Sequence, residues 1–348
     1  MTPLVSILIP AHNVENWIAD TIRSAVAQTW RRKEIVIVDD GSTDRTAEVV
    51  RQFTSKDVVL ISTENHGAAA ARNHALRFCQ GDYIQWLDAD DILARDKIQH
   101  QLSALRETDS KRTLLSSAWA RFSYRTSRAR FVSTALWQDL SPIEWLVKKM
   151  GENLYMQTAT WLTSRELTQA AGPWDTRLLS DDDGEYFCRV LLSSEGVHFV
   201  PDAKVFYRLT PSSRLSFIGR SDSKKDALIL SMKLQIQYVR SLEDSEHVRK
   251  ACLTYLARSL DEFYPERPDL VAELNALAAQ FGGALGVPSL RPKYSWIEPV
   301  LGGKIAKSAQ IALPQVKVSL MRFWDKVMYE LENRGILAGH EKNSARVA

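Results

Sequence analysis

Three clusters of acidic and polar side chains each follow a short apolar run: Pro10-Ala11-His12-Asn13, Asp39-Asp40-Gly41-Ser42 and Asp88-Ala89-Asp90-Asp91. One such cluster alone reads as a helix cap or a solvated turn. Several at one edge of a sheet read differently. Converging carboxylates repel one another unless a cation lies between them, and a few hard oxygen ligands suit Mg2+ or Mn2+ held jointly with a phosphate. No GxxxxGK[ST] loop is present, and no GxGxxG follows the first apolar run, which disfavours a P-loop nucleotidase and a Rossmann dehydrogenase. A nucleotide would then be held by side chains and a metal, the arrangement expected of a sugar-nucleotide transferase.

The elements that must position these clusters are legible as an alternation. Leu4 to Pro10, Glu34 to Val38, Val58 to Ser62 and Tyr83 to Leu87 are β-branched or aromatic runs of strand length. Between them lie helical patterns. Val14, Trp17, Ile18, Ile22, Ala25 and Val26 fall on one face, with Asn13 placed to cap them; a second helix runs to about Phe53, and a third over Ala68 to Cys79. Such spacing predicts βαβ units and a mostly parallel sheet flanked by helices, an α/β class in which ligands bind beyond the carboxyl ends of the strands. From about residue 110 the rhythm loosens into strands at Leu114 to Tyr124 and Phe131 to Thr134 and a helix at Pro142 to Met150. Beyond Phe217 the pattern is helical, over Lys224 to Arg240, Ser245 to Tyr264, Pro268 to Phe281 and Val318 to Leu331. The expected division is a first domain, 1–215, and a mainly helical second, 216–348.

The motifs VSILIPAHNVENWIADTIRSAVAQTW, EIVIVDDGSTD and ENHGAAAARNHALRFCQGDYIQWLDADD, in this order and spacing, resemble the N-terminal half of glycosyltransferase family 2, inverting enzymes of the GT-A type fold. The resemblance implies transfer of a sugar from a nucleotide-diphosphate donor, UDP favoured, to a hydroxyl of a glycan or lipid-linked acceptor, with Mn2+ or Mg2+ as cofactor. It also implies roles. Pro10, Ala11 and Asn13 would line the base and ribose, Asp40 would hydrogen-bond the base, Arg72 would lie near base and diphosphate, and Asp88 by ribose and diphosphate. Asp90 would ligate the metal. For Asp91 a helix cap is preferred to a second metal ligand.

The base of an inverting transfer must come from a separate stretch of chain, opposite the leaving diphosphate. Gly172-Pro-Trp174-Asp175 followed by Asp181-Asp182-Asp183-Gly184-Glu185 and Arg189 resembles the family's second signature. Asp stands here for the usual Glu, and Gly184 where an aromatic is common. Asp183 is the expected base and Asp182 the alternative; neighbouring carboxylates should raise at least one pKa. Val205-Phe206-Tyr207-Arg208, with Ser213 and Ser216 beyond, resembles the family's Tyr-Arg strand, and Arg208 would reach the diphosphate. No QxxRW is present, which disfavours a processive synthase. Trp119, Trp137 and Trp161 fall where an acceptor would bind. His12 and His66 have no second His at helical spacing and read as pocket lining, and Cys79 and Cys188 as core. The rival of another class is a catalytically silent carbohydrate-binding or scaffold protein on the same fold.

Net charge is +3, from 45 basic and 42 acidic residues, too balanced for a general nucleic-acid binder. The basic excess is local. From Arg291 onward ten Lys/Arg face five Asp/Glu, a net of +5, which leaves −2 for the rest. Leu320, Met321, Trp324, Val327, Met328 and Leu331 form one apolar stripe there, with Lys304, Lys307 and Lys317 before it. Two readings stand: contact with an anionic membrane surface near a lipid-linked acceptor, or packing on the chain's own domain or a second subunit. Three scattered cysteines, no leader pattern and no run of eighteen apolar residues lead to an expected cytoplasmic location, at most peripheral at the inner membrane face.

Overall fold

The computed structural model describes residues 2–105, 110–210, 218, 221–286 and 292–333. Contacts divide the chain into two compact units, one of residues 1–120 and 131–286, the other of 121–130 and 287–348.

The first unit opens with the expected alternation: β1 (Val5–Ala11), α1 (Ile18–Val26), β2 (Lys33–Asp40), α2 (Thr46–Arg51), β3 (Val58–Thr63), α3 (Ala68–Phe78) and β4 (Tyr83–Trp86). Then come β5 (Ile92–Leu93), α4 (Lys97–Leu105), β6 (Thr113–Phe122), β7 (Arg130–Phe131), α5 (Pro142–Glu152), β8 (Thr163–Ser164), α6 (Arg165–Ala171), α7 (Asp182–Ser193) and β9 (Gly196–Arg208). Helices α8 (Asp222–Leu242), α9 (Glu246–Ser259) and α10 (Pro268–Ala279) complete it. One sheet has the order β3-β2-β1-β4-β8, parallel except for β8; a second, β5-β9-β6-β7, stands beside it. Because β1, β2 and β4 run parallel, the ends at Ala11, Asp40 and Trp86 lie along one edge. The acidic clusters follow directly.

Burial explains the strands. Val5, Ile7, Leu8 and Ile9 in β1 and Ile35 to Val38 in β2 are at most 1% exposed, as the middle of a parallel sheet covered on both faces requires. The chain boundary expected near 215 lies outside the described residues. Helices α8 to α10 share one buried cluster with α3, α5 and α7, through Met232, Ile236, Leu256 and Leu274 among others, so contacts draw the division at 286/287 instead. An apolar face of a helix must be buried against something, and here the sheet's own layer of helices supplies it.

The second unit holds α11 (Pro292–Ser295), α12 (Glu298–Leu301) and α13 (Gly303–Asn333) with the segment 121–130. Asp325 of α13 accepts hydrogen bonds from Tyr124 N (2.8 Å) and Arg125 Nε (2.7 Å), and Glu332 accepts from Arg125 Nη1 (2.6 Å). No described helix is long and apolar enough to cross a membrane.

Candidate active site

One cavity of about 810 Å³ opens at the carboxyl edge of the first sheet, within the size range of small-molecule sites. Pro10, Ala11, Asn13, Asp40, Arg72, Asp88, Asp90, Asp182 and Asp183 all line it, brought there by separate loops. Asp40 ends β2. Gly41 then turns with φ 67°, and a Cβ there would lie 2.6 Å from Asn65 N, so only glycine lets this loop meet the one before α3. The Asp40 carboxylate, 4% exposed, accepts from His66 N (2.9 Å) and Gly67 N (2.8 Å). His12 also lines the cavity, its Nδ1 2.8 Å from the Asp40 carbonyl oxygen.

Asn13 does not cap α1, which starts at Ile18. It adopts φ 51°, and its Oδ1 accepts from Thr43 N (2.8 Å) and Asp44 N (3.3 Å). A short amide in the left-handed region satisfies a neighbouring loop more readily than a helix that begins a turn later. The β1 and β2 loops are thereby tied together.

Arg72, on α3 and 5% exposed, is the hub of the acidic wall. It donates to Asp182 Oδ2 at 2.6 Å and to Asp88 Oδ1 at 2.9 Å, and its guanidinium lies 4.5 Å from the centre of the Trp174 ring. Burial opposes its charge, but Asp182 and Asp88 outweigh that and raise its pKa. With both carboxylates drawing on one fork, Arg72→Met leaves a buried anion uncompensated; unfolding free energy should fall by about 3–5 kcal/mol in a urea titration. Arg72→Lys should recover only part of it, since an ammonium lacks the planar fork that spans two partners.

Asp182, 5% exposed, has its carboxyl pushed by burial up to about 6, against the pull of Arg72 and with the push of Asp183. A carboxyl raised in this way contributes stability at low pH and loses it as pH climbs from its ordinary 3.8 through about 6. Thermal melts should therefore show a downward slope with rising pH in that window, and Asp182→Asn should flatten it. An unchanged slope in the variant would refute the assignment.

Asp183 is held differently. Its Oδ2 accepts from Thr158 Oγ1 at 3.1 Å and its Oδ1 from Gly184 N at 2.9 Å. In the loop of Asp88 to Asp91, Asp90 Oδ2 accepts from Thr210 Oγ1 at 3.2 Å. Among the described residues no three His, Cys, Asp or Glu side chains form a metal cage. Asp88 and Asp90 are nevertheless suited to Mg2+ or Mn2+, ions that take one or two carboxylates and complete their shell with water and substrate phosphates.

Two expectations are corrected. Asp91 is neither a helix cap nor a cavity residue: it is fully buried and accepts from Gln157 Nε2 and from Arg208 N (2.7 Å). Burial, then the Asp90 and Asp88 charges, push its carboxyl well up. Arg208, expected at the diphosphate, is 2% exposed and does not line the cavity. It braces the acidic loop from behind, donating from Nε to the Asp90 carbonyl (2.7 Å) and from Nη2 to Asp20 (3.2 Å), over the Trp17 ring. Ser213 and Ser216 lie outside the described residues. Of the three tryptophans, Trp161 lines the cavity, whereas Trp119 packs on Tyr155 and Trp137 on Phe199.

Sequence reasoning missed Thr158, Trp145 and Lys149. Trp145 and Lys149 stand four apart on α5, whose start was readable from Pro142 and is fixed by a Ser141/Glu144 capping box. That spacing was the available signal. Thr158 had none.

A parallel sheet with an acid-lined cavity at its carboxyl edge, and a second acidic wall on a later helix, defines a GT-A type glycosyltransferase fold. Residues 6–152 match the family model for glycosyl transferase family 2. Bacillus subtilis TuaG, a putative teichuronic acid biosynthesis glycosyltransferase, is 42% identical over 108 residues, 30% of this chain and 43% of TuaG. An uncharacterized glycosyltransferase of Haemophilus influenzae is 40% identical over 104 residues, 29% of this chain and 42% of that protein. The chain thus spans less than half the length of these relatives. Among solved structures, S. aureus TarS 1–349 in complex with UDP-GlcNAc aligns with a TM-score of 0.64 at 17% identity, over 80% of this chain and 81% of that one. The Pyrobaculum calidifontis mannosyltransferase PcManGT, in complex with GDP-Man and Mn2+, aligns at 0.52 and 20% identity, over 94% and 88%.

Proposed function

We propose that the chain is a non-processive, inverting glycosyltransferase that moves a sugar from a nucleotide-diphosphate sugar to an acceptor hydroxyl, in the assembly of a cell-surface polysaccharide. One observation carries the reading: Asp40, Asp88, Asp90, Arg72 and Asp183, from four separate stretches of chain, converge on one cavity. Pro10, Ala11, Asn13 and Asp40 would receive the base and ribose. Asp88 and Arg72 would face the diphosphate, and Asp90 would ligate Mn2+ or Mg2+. When bound, such a cation supplies charge neutralisation for the departing diphosphate. Asp183 accepts the proton from the acceptor hydroxyl as that oxygen bonds to the anomeric carbon and the bond to the diphosphate breaks. Asp182, engaged by Arg72, is the weaker candidate for this step, because its lone pairs already serve a buried cation.

TarS is described with UDP and UDP-GlcNAc, PcManGT with GDP-Man and Mn2+, and TuaG is assigned to teichuronic acid synthesis. These support a nucleotide-sugar donor, with UDP first to test; a glycan or lipid-linked acceptor is the proposal's own. The assay is hydrolysis of a nucleotide-sugar panel with Mn2+, beside calorimetric titration of UDP. A silent binding protein on the same fold would turn over none of the panel.

The apolar face of α13 supports the peripheral membrane reading. Leu313, Val316, Leu320, Phe323 and Trp324 are each at least half exposed, while Asp325 and Glu332 turn to Arg125. Exposed Lys317 stands within that face, which favours an anionic lipid surface over a second copy presenting the same charge. In flotation, the full chain should bind phosphatidylglycerol vesicles and not phosphatidylcholine, and Phe323→Ser/Trp324→Ser should abolish binding. Absence of binding, with a light-scattering mass halved by the same substitutions, would assign the face to a homodimer.

A further inference from the structure

The residue before the proposed base pair has a role that the transfer chemistry leaves unassigned. Asp181 stands just ahead of α7 with φ 54° and ψ 28°, a left-handed conformation that residues with a side chain seldom adopt. Asp is among those that tolerate it, usually because the side chain caps the helix or bonds its own loop. Here it makes no capping bond. Its carboxylate instead accepts from Ser231 Oγ at 2.7 Å and from Gln235 Nε2 at 2.7 Å, both on α8. Ser231 and Gln235 are fully buried and bonded to each other at 2.8 Å. Gln235 Oε1 in turn accepts from Lys149 Nζ on α5, and the Lys149 charge offsets part of the effect of burying Asp181.

Gly184 makes the room. A Cβ there would lie 2.2 Å from Asp181 Oδ1 and 2.7 Å from its Cγ, distances that no real contact shows. The glycine that interrupts the family-like pattern and the extra aspartate in front of it are thus one feature: the carboxylate occupies the space from which a side chain at 184 would start. A left-handed Asp and a glycine in a first helical turn are each locally unfavourable, and their pairing beside a reacting group marks a site where position is favoured over local stability. Asp183 sits between them and takes one hydrogen bond from Gly184 N and one from Thr158 Oγ1.

We infer that Asp181, backed by Ser231, Gln235 and Lys149, is a positioning residue that clamps the first turn of α7 to α8 and so fixes the Asp183 carboxylate. This rests on the transferase reading, and it makes α8 part of the catalytic unit. Asp181→Gly removes the single oxygen, Oδ2, that both donors meet, and glycine keeps the left-handed turn without strain. With whichever of UDP-GlcNAc or GDP-mannose the wild type turns over, kcat should fall about 10- to 100-fold while KM and UDP affinity with Mn2+ stay within about twofold. Ser231→Ala should shift kcat the same way, by less. Unchanged kcat in Asp181→Gly, or in Ser231→Ala should the first variant fail to fold, overturns the role.

A stability cycle tests the clamp without any substrate. Gly184→Ala should lower the urea midpoint of the wild type and raise it in an Asp181→Gly background, where the carboxylate is gone and glycine suits the left-handed turn. Equal effects in both backgrounds overturn the geometry. Loss of all turnover in the wild type would instead remove the transferase reading, with the cycle still reporting on the clamp.

Discussion

Asp183→Asn should lower sugar transfer by about 10²–10⁴-fold while leaving UDP binding within about twofold of wild type. The size follows from the role, since an amide of the same shape cannot take the acceptor proton. The selectivity follows from position. The ion pairs of Arg72 are with Asp182 and Asp88, and Asp183 acts on it only through its charge, so the substitution leaves both ion pairs standing. The amide oxygen can still accept from Gly184 N, and the amide nitrogen can donate to Thr158 Oγ1, whose hydroxyl both donates and accepts. Folding should therefore be close to unchanged in a thermal melt. Asp182→Asn is the discriminating control. It removes a partner of a buried guanidinium, so its main cost should appear in stability, with a smaller loss of turnover. If Asp182→Asn abolished transfer and Asp183→Asn did not, the two roles would be exchanged.

The parts of this site that could be read from the sequence are those set by local rules. Strand ends at Ala11, Asp40 and Trp86 follow from β-branched runs closed by Asp, Asn and Gly, and a parallel sheet places all such ends on one edge. Asp40, Asp88 and Asp90 were found because they follow strands directly. What was missed depends on partners distant in the chain. Arg208 ends β9, as a terminal Arg at a ligand edge would, yet the backbone oxygen of Asp90 and the carboxylate of Asp20 take its guanidinium inward. Nothing in periodicity distinguishes the two outcomes. Asp91 was misread for the same reason: its capping potential is a local property, whereas its burial is decided by Gln157 and Arg208. Asp181 and Gly184 were visible only as departures from a familiar pattern. Their connection needed the position of α8, which the sequence assigned to another domain.

Asp90→Ala should abolish the Mn2+ dependence of UDP binding and lower transfer by about a hundredfold or more. In an open site where the protein offers two carboxylates and the substrate the remaining oxygens, each carboxylate carries a large share of the affinity. A cation at the diphosphate contributes several kcal/mol of charge stabilisation, and about 3 kcal/mol corresponds to two decades in rate. Asp88 gives a contrasting expectation. Its Oδ1 is already bonded to Arg72, so Asp88→Asn should weaken nucleotide binding in EDTA and somewhat more in Mn2+, and should also release part of the Arg72 restraint. Calorimetry with UDP separates the two: wild type binds more tightly with Mn2+ than with EDTA, Asp90→Ala shows the EDTA value under both conditions, and Asp88→Asn keeps a reduced difference. The fold should tolerate the alanine. The Asp90 side chain lines the cavity and bonds Thr210, while its main-chain oxygen, untouched by the substitution, remains the anchor for Arg208. An Asp90→Ala chain that still binds UDP more tightly with Mn2+ would place the cation elsewhere in the acidic wall.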